Sequence, residues 1–132
     1  NAPKEAFENK VMKNHHGGVI KVKNHIYGYS DGVGWVCQDF KTGELAWNEK
    51  KALGKGAIAY ADNHLYCQGE GDGKVILIEA TPSGWIPKGE FTINPQTKKR
   101  NPKGRIWTHP VISNGKLYLR DQEYLLCYDI KE

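Results

Sequence analysis

Three segments of this 132-residue chain repeat one another, and this repeat constrains the fold more than any other feature of the sequence. They span residues 18–30, 57–69 and 109–121, and they align without gaps on Tyr27, Tyr66 and Tyr118. Each is a β-rich run, a two-residue turn and a second β-rich run, the turns being Lys23-Asn24, Asp62-Asn63 and Asn114-Gly115. Asp-Asn and Asn-Gly pairs suit the positive φ angles of tight turns, so each segment predicts a β-hairpin.

Two further strands are expected in each repeat unit. A third β-rich run follows the hairpin at residues 34–39, 74–79 and 124–129. A fourth run follows a turn at residues 45–47 in the first unit and 85–91 in the second. The third unit reaches Glu132 before any fourth run, whereas residues 8–13 form a spare piece ahead of the first unit. That piece could be the fourth strand of a repeat unit, or blade, that precedes the first.

The period of the repeat indicates the architecture. The first two tyrosines are separated by about one period of a four-stranded propeller blade, which is roughly 40–45 residues. The second interval is longer because residues 94–105, rich in Lys, Pro and Asn, are inserted. We therefore predict an all-β chain of three four-stranded antiparallel β-propeller blades in a single domain. The predicted blades lie near residues 14–50, 55–92 and 106–132, with residues 8–13 as a blade-completing strand.

The segment from Cys37 to Trp47 resembles the PQQ-like (quinoprotein-type) repeat. That repeat has the pattern Ala-x-Asp-x-x-Thr-Gly-x-x-x-Trp, which Asp39, Thr42, Gly43 and Trp47 match, while Cys37 stands at the usual alanine. The chain is also similar to the C-terminal blades of bacterial PQQ-like repeat proteins, notably at residues 14–18, 107–110 and 117–121. The resemblance implies that the Trp47 ring packs over the next blade.

Three blades do not close a ring, because a propeller needs about four to eight. Open blades leave unpaired edges, and repeat arrays need neighbours to bury their faces. The chain is therefore expected to be a partial propeller or one half of an assembled ring. Either two copies form six blades, with the N-terminal strand completing the partner's last blade, or other blades of a larger propeller complete the ring.

A candidate ligand-binding face lies at the mouth of the propeller channel. The residues before each first strand and the loops between the second and third strands face this mouth, and such loops commonly carry function. The residues that we select from the two sets are His15, His16, Lys55, Trp107, His109, Arg120 and Asp121. The second set also contains Asp31 and Glu70.

The sequence gives no motif for catalysis, metal binding or a cofactor. His15 and His16 are adjacent, and neither a His-x-x-x-His nor a Cys-x-x-Cys pair occurs, so a metal site is open but not predicted. Quinoprotein dehydrogenases are known for a vicinal cysteine pair, and this chain has none. We therefore expect no PQQ and assign no catalytic residue. Three cysteines cannot form a closed disulfide set, and Cys37, Cys67 and Cys127 are expected to be free, buried thiols.

Charge and hydropathy narrow the class of partner. A net charge of +4 is too small to imply nucleic-acid binding, and the basic cluster in residues 97–105 is expected to be a solvated loop. No apolar run approaches the roughly 18 residues of a membrane span. Residues 1–13 show no signal peptide, and the chain does not begin with Met, which is typical of a processed product or a part of a longer polypeptide.

Three functions stay open at this point. The leading hypothesis is a non-enzymatic binding or scaffold module that acts through the channel mouth, with a protein as partner. The second is an enzyme or enzyme subunit with a site at His15, His16, His109 and Asp121. The third is a fragment of a larger propeller without activity of its own. The resemblance implies a location in the periplasm or cell envelope.

Overall fold

The computed structural model describes residues 1–131, within which eleven strands form three antiparallel sheets. Blade 1 contains β1 (Val19–Val22), β2 (His25–Ser30), β3 (Gly34–Asp39) and β4 (Leu45–Glu49). Blade 2 contains β5 (Gly56–Ala61), β6 (His64–Gly69), β7 (Lys74–Glu79) and β8 (Pro87–Thr92). Blade 3 contains β9 (Val111–Ser113), β10 (Lys116–Asp121) and β11 (Tyr124–Asp129). These blades confirm the predicted all-β fold class.

Each hairpin turns where the sequence predicts it. Lys23, Asn63 and Asn114 have φ angles of 51°, 59° and 50°, which place them in the left-handed region. Two-residue hairpin loops require this region because their twist then matches that of the flanking strands. The strands within each blade follow chain order, so every connection inside a blade joins neighbouring strands.

The strand register repeats from blade to blade. Tyr27 pairs with Cys37, Tyr66 with Leu77, and Tyr118 with Cys127. Residues that share a position in the sequence repeat therefore also share a position within their blades. The outer strand β8 starts at Pro87 rather than at the expected residue 85, so Trp85 lies in the loop before it.

The hydrophobic core lies between blades rather than within one. Between blades 1 and 2 the buried residues are Val22, Tyr27, Trp35, Cys37, Leu53, Ile58, Leu65, Cys67, Ile76 and Ile78. Between blades 2 and 3 they are Val75, Ile93, Ile106, Leu117 and Leu119. Full burial of an aliphatic side chain contributes about 1.5–3 kcal/mol, so each blade is stabilised mainly by its neighbour.

The N-terminal segment corrects one prediction. Residues 8–13 form no strand; they lie across the face of blade 1 that points away from blade 2. Ser30 Oγ donates to the Val11 carbonyl oxygen at 2.7 Å and accepts from the Lys13 N–H at 2.9 Å. Gln38 and Ser30 are buried on this face, and polar side chains there satisfy the backbone of an irregular segment. Residues 8–13 therefore cover blade 1 instead of completing a sheet.

The inserted segment between blades 2 and 3 is tied to blade 3 by Asp121. Arg100 Nη2 lies 2.6 Å from Asp121 Oδ2, and the Thr97 N–H donates to the same oxygen at 2.9 Å. Asp121 is buried, so this ion pair anchors the middle of the insertion. Lys98 and Lys103 remain exposed, as expected for a solvated loop.

Blade 3 presents an uncovered face, which corrects the prediction for Cys127. Cys37 and Cys67 are buried as expected, but Cys127 is exposed because no blade packs on its side of β11. Leu125 and Val111 lie on the same exposed face. No helix suited to crossing a membrane occurs within residues 1–131.

Candidate functional site

Five of the seven selected residues come together at one end of the blades. His15 and His16 precede β1, Lys55 precedes β5, and Trp107 and His109 precede β9. The first strands of successive blades run in the same direction along the channel, so the residues before them meet at one mouth.

Asn14 orients the two histidines. Its side-chain amide donates to the carbonyl oxygens of Gly18 and Tyr29, both at 3.1 Å, and its Oδ1 accepts from the Gly18 N–H at 3.2 Å. Asn commonly closes such local turns. The turn fixes the backbone of His15 and His16 against blade 1.

Lys55 links blade 2 to blade 1 at the mouth. Its ammonium lies 2.6 Å from Asp31 Oδ1 and 2.8 Å from His15 Nδ1. The hydrogen bond from Lys55 is the main cause that lowers the pKa of Asp31 below its usual value. The Asp31 carboxylate is therefore ionised and paired at neutral pH.

Glu70 joins all three blades. Its Oε2 lies 2.8 Å from His16 Nε2 of the segment before blade 1, and accepts from Trp107 Nε1 at 3.2 Å. His109 Nε2 contacts the carbonyl oxygen of His16. The rings of His16 and Trp107 meet edge to face with their centroids 6.0 Å apart. The Trp107 residue nevertheless stays 57% exposed.

The residues joined by these contacts are here named the mouth cluster: His15, His16, Asp31, Lys55, Glu70, Trp107 and His109. A groove of about 270 Å³ adjoins it and is lined by Lys55, Glu70, Asp72 and Arg105 with three glycines. Both carboxylates of the cluster already have cationic or N–H partners. The face is thus a network of polar side chains that already have partners, beside an exposed indole ring.

Arg120 and Asp121 make their contacts elsewhere. Asp121 is buried against Arg100 and Thr97 in the insertion, and Arg120 Nε donates to the carbonyl oxygen of Gln122 at 3.0 Å. Alternation along β10 turns Arg120 towards the uncovered face of blade 3. Within residues 1–131 no hydrogen bond or ion pair links either residue to the mouth cluster.

Asp31 and Glu70 belong to the cluster although they were not among the seven selected residues. Both occupy one repeat position, directly after β2 and β6, where the third unit has Gln122. Sequence reasoning placed both in the loops that face the mouth, and a carboxylate recurring at the first loop position was the signal that could have selected them. The side-chain partners of Asp31 and Glu70 could not be predicted from the sequence, because Lys55 and His16 belong to neighbouring repeat units.

The residues present do not fit the metal and quinone chemistry of quinoprotein enzymes. In the part of the chain that the structure describes, no three His, Cys, Asp or Glu side chains meet in a group that could hold a metal ion. Cys37 and Cys67 are buried on different blades, and burial raises the pKa of the Cys37 thiol to about 11. Neither thiol has the exposed, reactive character of a redox pair.

Comparisons with known proteins give the fold. No protein-family model and no curated protein sequence matches the chain. The structure of BamB from Moraxella catarrhalis superposes with a TM-score of 0.62 at 12% identity, covering 85% of this chain. A europium-containing methanol dehydrogenase superposes with a TM-score of 0.64 at 17% identity, covering 94% of this chain. The blades share the β-propeller fold of these two structures.

The chain corresponds to only a part of each similar structure. It spans 36% of the BamB chain and 24% of the methanol dehydrogenase chain. Its blades therefore match a run of blades within larger propellers, as the repeat in the sequence predicts.

Proposed function

We propose that this chain is a non-enzymatic binding module whose mouth cluster docks a protein partner. The observation that carries the proposal is the exposed Trp107 ring held beside polar side chains that already have partners. Tryptophan is enriched among the residues that dominate binding energy at protein interfaces. Charges that are paired in advance require less rearrangement when a partner excludes water from the face.

The enzyme hypothesis has weaker support. It used Asp121 together with His15, His16 and His109, and Asp121 is instead buried against Arg100. The His16–Glu70 pair resembles part of an acid–base site, but among the described residues no hydrogen bond joins it to a Ser, Thr or Cys side chain. A nucleophile within hydrogen-bond reach of the base is the usual signature of covalent catalysis. The binding role is therefore the function we put forward.

The same proposal places the three blades within a larger ring. Another blade, from a second copy or from another part of a propeller, would cover the exposed face of blade 3. The partial coverage of the two similar structures supports this arrangement. The PQQ-like resemblance supports a location in the periplasm or cell envelope, which fractionation of the native host would test.

Photo-crosslinking tests the docking face. A photoreactive amino acid replaces Trp107 in one variant and Tyr60 in a control, since Tyr60 is also exposed but lies near the hairpin turn at the far end of β5. We expect the native host to yield one specific adduct from position 107 and none from position 60. The adducted protein, identified by mass spectrometry and purified, then serves as the ligand in a binding assay.

In that assay Trp107→Ala is expected to weaken binding by about 30-fold, because truncating a dominant interface residue typically costs about 2 kcal/mol or more. Its melting temperature should stay near that of the wild type, since the ring is largely exposed. Equal adducts from both positions, or unchanged affinity of Trp107→Ala, would contradict the proposed docking face.

A further inference from the structure

Trp47 fills a slot between the outer parts of blades 1 and 2. Its Nε1 donates to the Thr81 carbonyl oxygen at 2.8 Å. The ring lies beside Tyr27 and Trp85, with centroid distances of 6.1 Å and 6.0 Å. This slot therefore has an aromatic wall and one backbone acceptor for the indole N–H.

The corresponding position of blade 2 has no side chain. Trp47 pairs with Cys37 across β3 and β4, and Gly89 pairs with Leu77 at the same register across β7 and β8. A Cβ atom built on Gly89 would have no heavy atom within 4 Å, and its φ is not in the left-handed region. The space that Trp47 occupies between blades 1 and 2 is thus open between blades 2 and 3.

The walls of this open space repeat those around Trp47. The cavity has a volume of about 390 Å³, within the roughly 300–1,000 Å³ of small-molecule sites. We name it the rim slot, and its lining residues include Tyr66, Leu77, Gly89, Phe91, Tyr128 and Lys131. Tyr66 stands in the place of Tyr27, and Leu77 stands in the place of Cys37.

The backbone on the far side of the rim slot also repeats. The Ile130 N–H donates to the Gly115 carbonyl oxygen at 3.0 Å, just as the Ala80 N–H donates to the Asn63 carbonyl oxygen at 2.8 Å. Lys131 therefore follows Ile130 as Thr81 follows Ala80. Its carbonyl is the counterpart of the acceptor that Trp47 uses.

The two slots differ in one wall. Trp85 packs against Trp47 between blades 1 and 2. At the rim slot the aromatic surface comes instead from Phe91 and Tyr128, whose rings lie 4.7 Å apart. Both arrangements offer flat apolar surface to a planar ring.

We propose that the rim slot binds a small molecule bearing an indole ring, placed as Trp47 is placed between blades 1 and 2. An apolar space left by an absent side chain binds molecules of the matching shape, because water finds few hydrogen-bond partners there. The ring N–H would donate to the Lys131 carbonyl oxygen. A side chain placed like Trp47 would have to project from the outer-strand position of blade 2, and this chain's own β8 already occupies that position. A free ligand therefore fits the rim slot better than a side chain of a partner protein.

Titration with free indole, followed by amide NMR shifts of the labelled chain, tests this proposal. We expect saturable shifts confined to the rim slot, around Leu77, Gly89 and Ile130, with a Kd of about 1 mM or tighter. 1-Methylindole, which lacks the N–H donor, should bind up to about tenfold more weakly, because one hydrogen bond is lost.

Gly89→Trp is the matched variant, because its own ring should fill the rim slot. It is expected to abolish indole binding and to raise the melting temperature. Gly54→Trp is the control, since Gly54 also has open space for a Cβ but lies outside the slot, and it should bind indole like the wild type. Should Gly89→Trp fold poorly, Gly89→Leu provides a smaller filling with the same expected loss.

Three results would overturn the proposal. Indole shifts scattered over the surface would show no defined site. Equal indole affinity in Gly89→Trp and the wild type would place binding elsewhere. A tryptophan-containing peptide that shifts the rim-slot amides while free indole does not would assign the slot to a protein partner. Indole binding at the rim slot does not involve the mouth cluster. A failure of this proposal would therefore leave the docking of a protein at the mouth cluster unaffected.

Discussion

Asp39 closes the turn that leads from β3 to the outer strand of blade 1. Its Oδ1 accepts from the N–H groups of Lys41 and Thr42 at 2.7 Å and 2.8 Å, and these bonds lower its pKa below the usual value. Asp129 holds the same repeat position, and its pKa is also lowered, chiefly by a hydrogen bond from Lys116. A carboxylate at this position thus stabilises the turn more strongly when it is ionised than when it is protonated.

Acid should therefore weaken the fold through Asp39. A group with a lowered folded pKa stabilises the protein above its unfolded pKa of roughly 4, and this contribution is lost as the pH falls through the folded value. We expect Asp39→Asn to be less stable than the wild type at pH 6 and to lose less stability on acidification. Denaturant unfolding at pH 6, 4 and 2.5 measures the difference.

Glu5→Gln is the control for this prediction, because Glu5 is exposed in the N-terminal segment. It should show the same pH dependence as the wild type. An Asp39→Asn variant that loses stability with acid as steeply as the wild type would contradict the role of the ionised carboxylate.

Single residues show how far sequence reasoning reaches. The turn role of Asp39 was predictable, because its hydrogen bonds are local and the motif repeats. The exposure of Cys127 was not, because burial of a blade face depends on whether another blade is present. Likewise Asp121 pairs with Arg100 across 21 positions, and no periodic pattern encodes that contact.

Between elements, Gly17 permits a close approach of the segment before β1 to blade 2. The Ile58 N–H donates to the Gly17 carbonyl oxygen at 3.2 Å, which ties the segment before β1 to β5. A Cβ atom on Gly17 would lie 1.8 Å from the Gly56 carbonyl oxygen. The contact is with backbone, so no side chain can move aside to relieve it.

Gly17→Ala is accordingly expected to destabilise the protein by about 1–3 kcal/mol, the usual cost of overpacking. Gly54→Ala is the matched control, because a Cβ there meets open space, and its effect should stay within about 0.5 kcal/mol. Denaturant unfolding curves measure both. Equal free energies of unfolding of the two variants would show that blades 1 and 2 can move apart at Gly17 without loss of stability.

The strands themselves were largely predictable, because tight turns and a repeated register mark them in the sequence. The exceptions have physical causes. The β7–β8 pairing begins with Ile78 opposite Pro87, so Trp85 stays in the loop before β8. Residues 8–13 form no strand, because their hydrogen bonds go to the Ser30 and Gln38 side chains and to the Asp31 N–H of blade 1 and not to a neighbouring strand edge.

At the scale of the whole molecule, the two ends of the blade array differ. Blade 1 is covered on its outer face by the N-terminal segment, whereas blade 3 leaves its outer face and the edge of β11 exposed. The exposed face repeats the positions that are buried between blades 1 and 2. Val111, Tyr118, Leu125 and Cys127 correspond to Ile20, Tyr27, Trp35 and Cys37.

This asymmetry changes the expected assembly. In a second copy, residues 8–13 would have to leave blade 1 before serving as a strand for blade 3, because they are hydrogen-bonded to blade 1. The uncovered face of blade 3 nevertheless has the composition of an interface between blades. Exposed apolar surface and open strand edges of this kind mark association sites. The central claim is that another blade covers this face.

Sedimentation velocity of the purified chain tests that claim most directly, since its own copies are then the only blades available. We expect the wild type to sediment as a multiple of 14.9 kDa. Leu125→Asp, at a side chain 69% exposed on the face, should sediment as a 14.9 kDa monomer with an intact fold. Tyr60→Asp, near the hairpin turn at the far end of β5, should associate like the wild type. A wild-type monomer at all concentrations, indistinguishable from Leu125→Asp, would contradict the claim that this face binds a blade of a second copy.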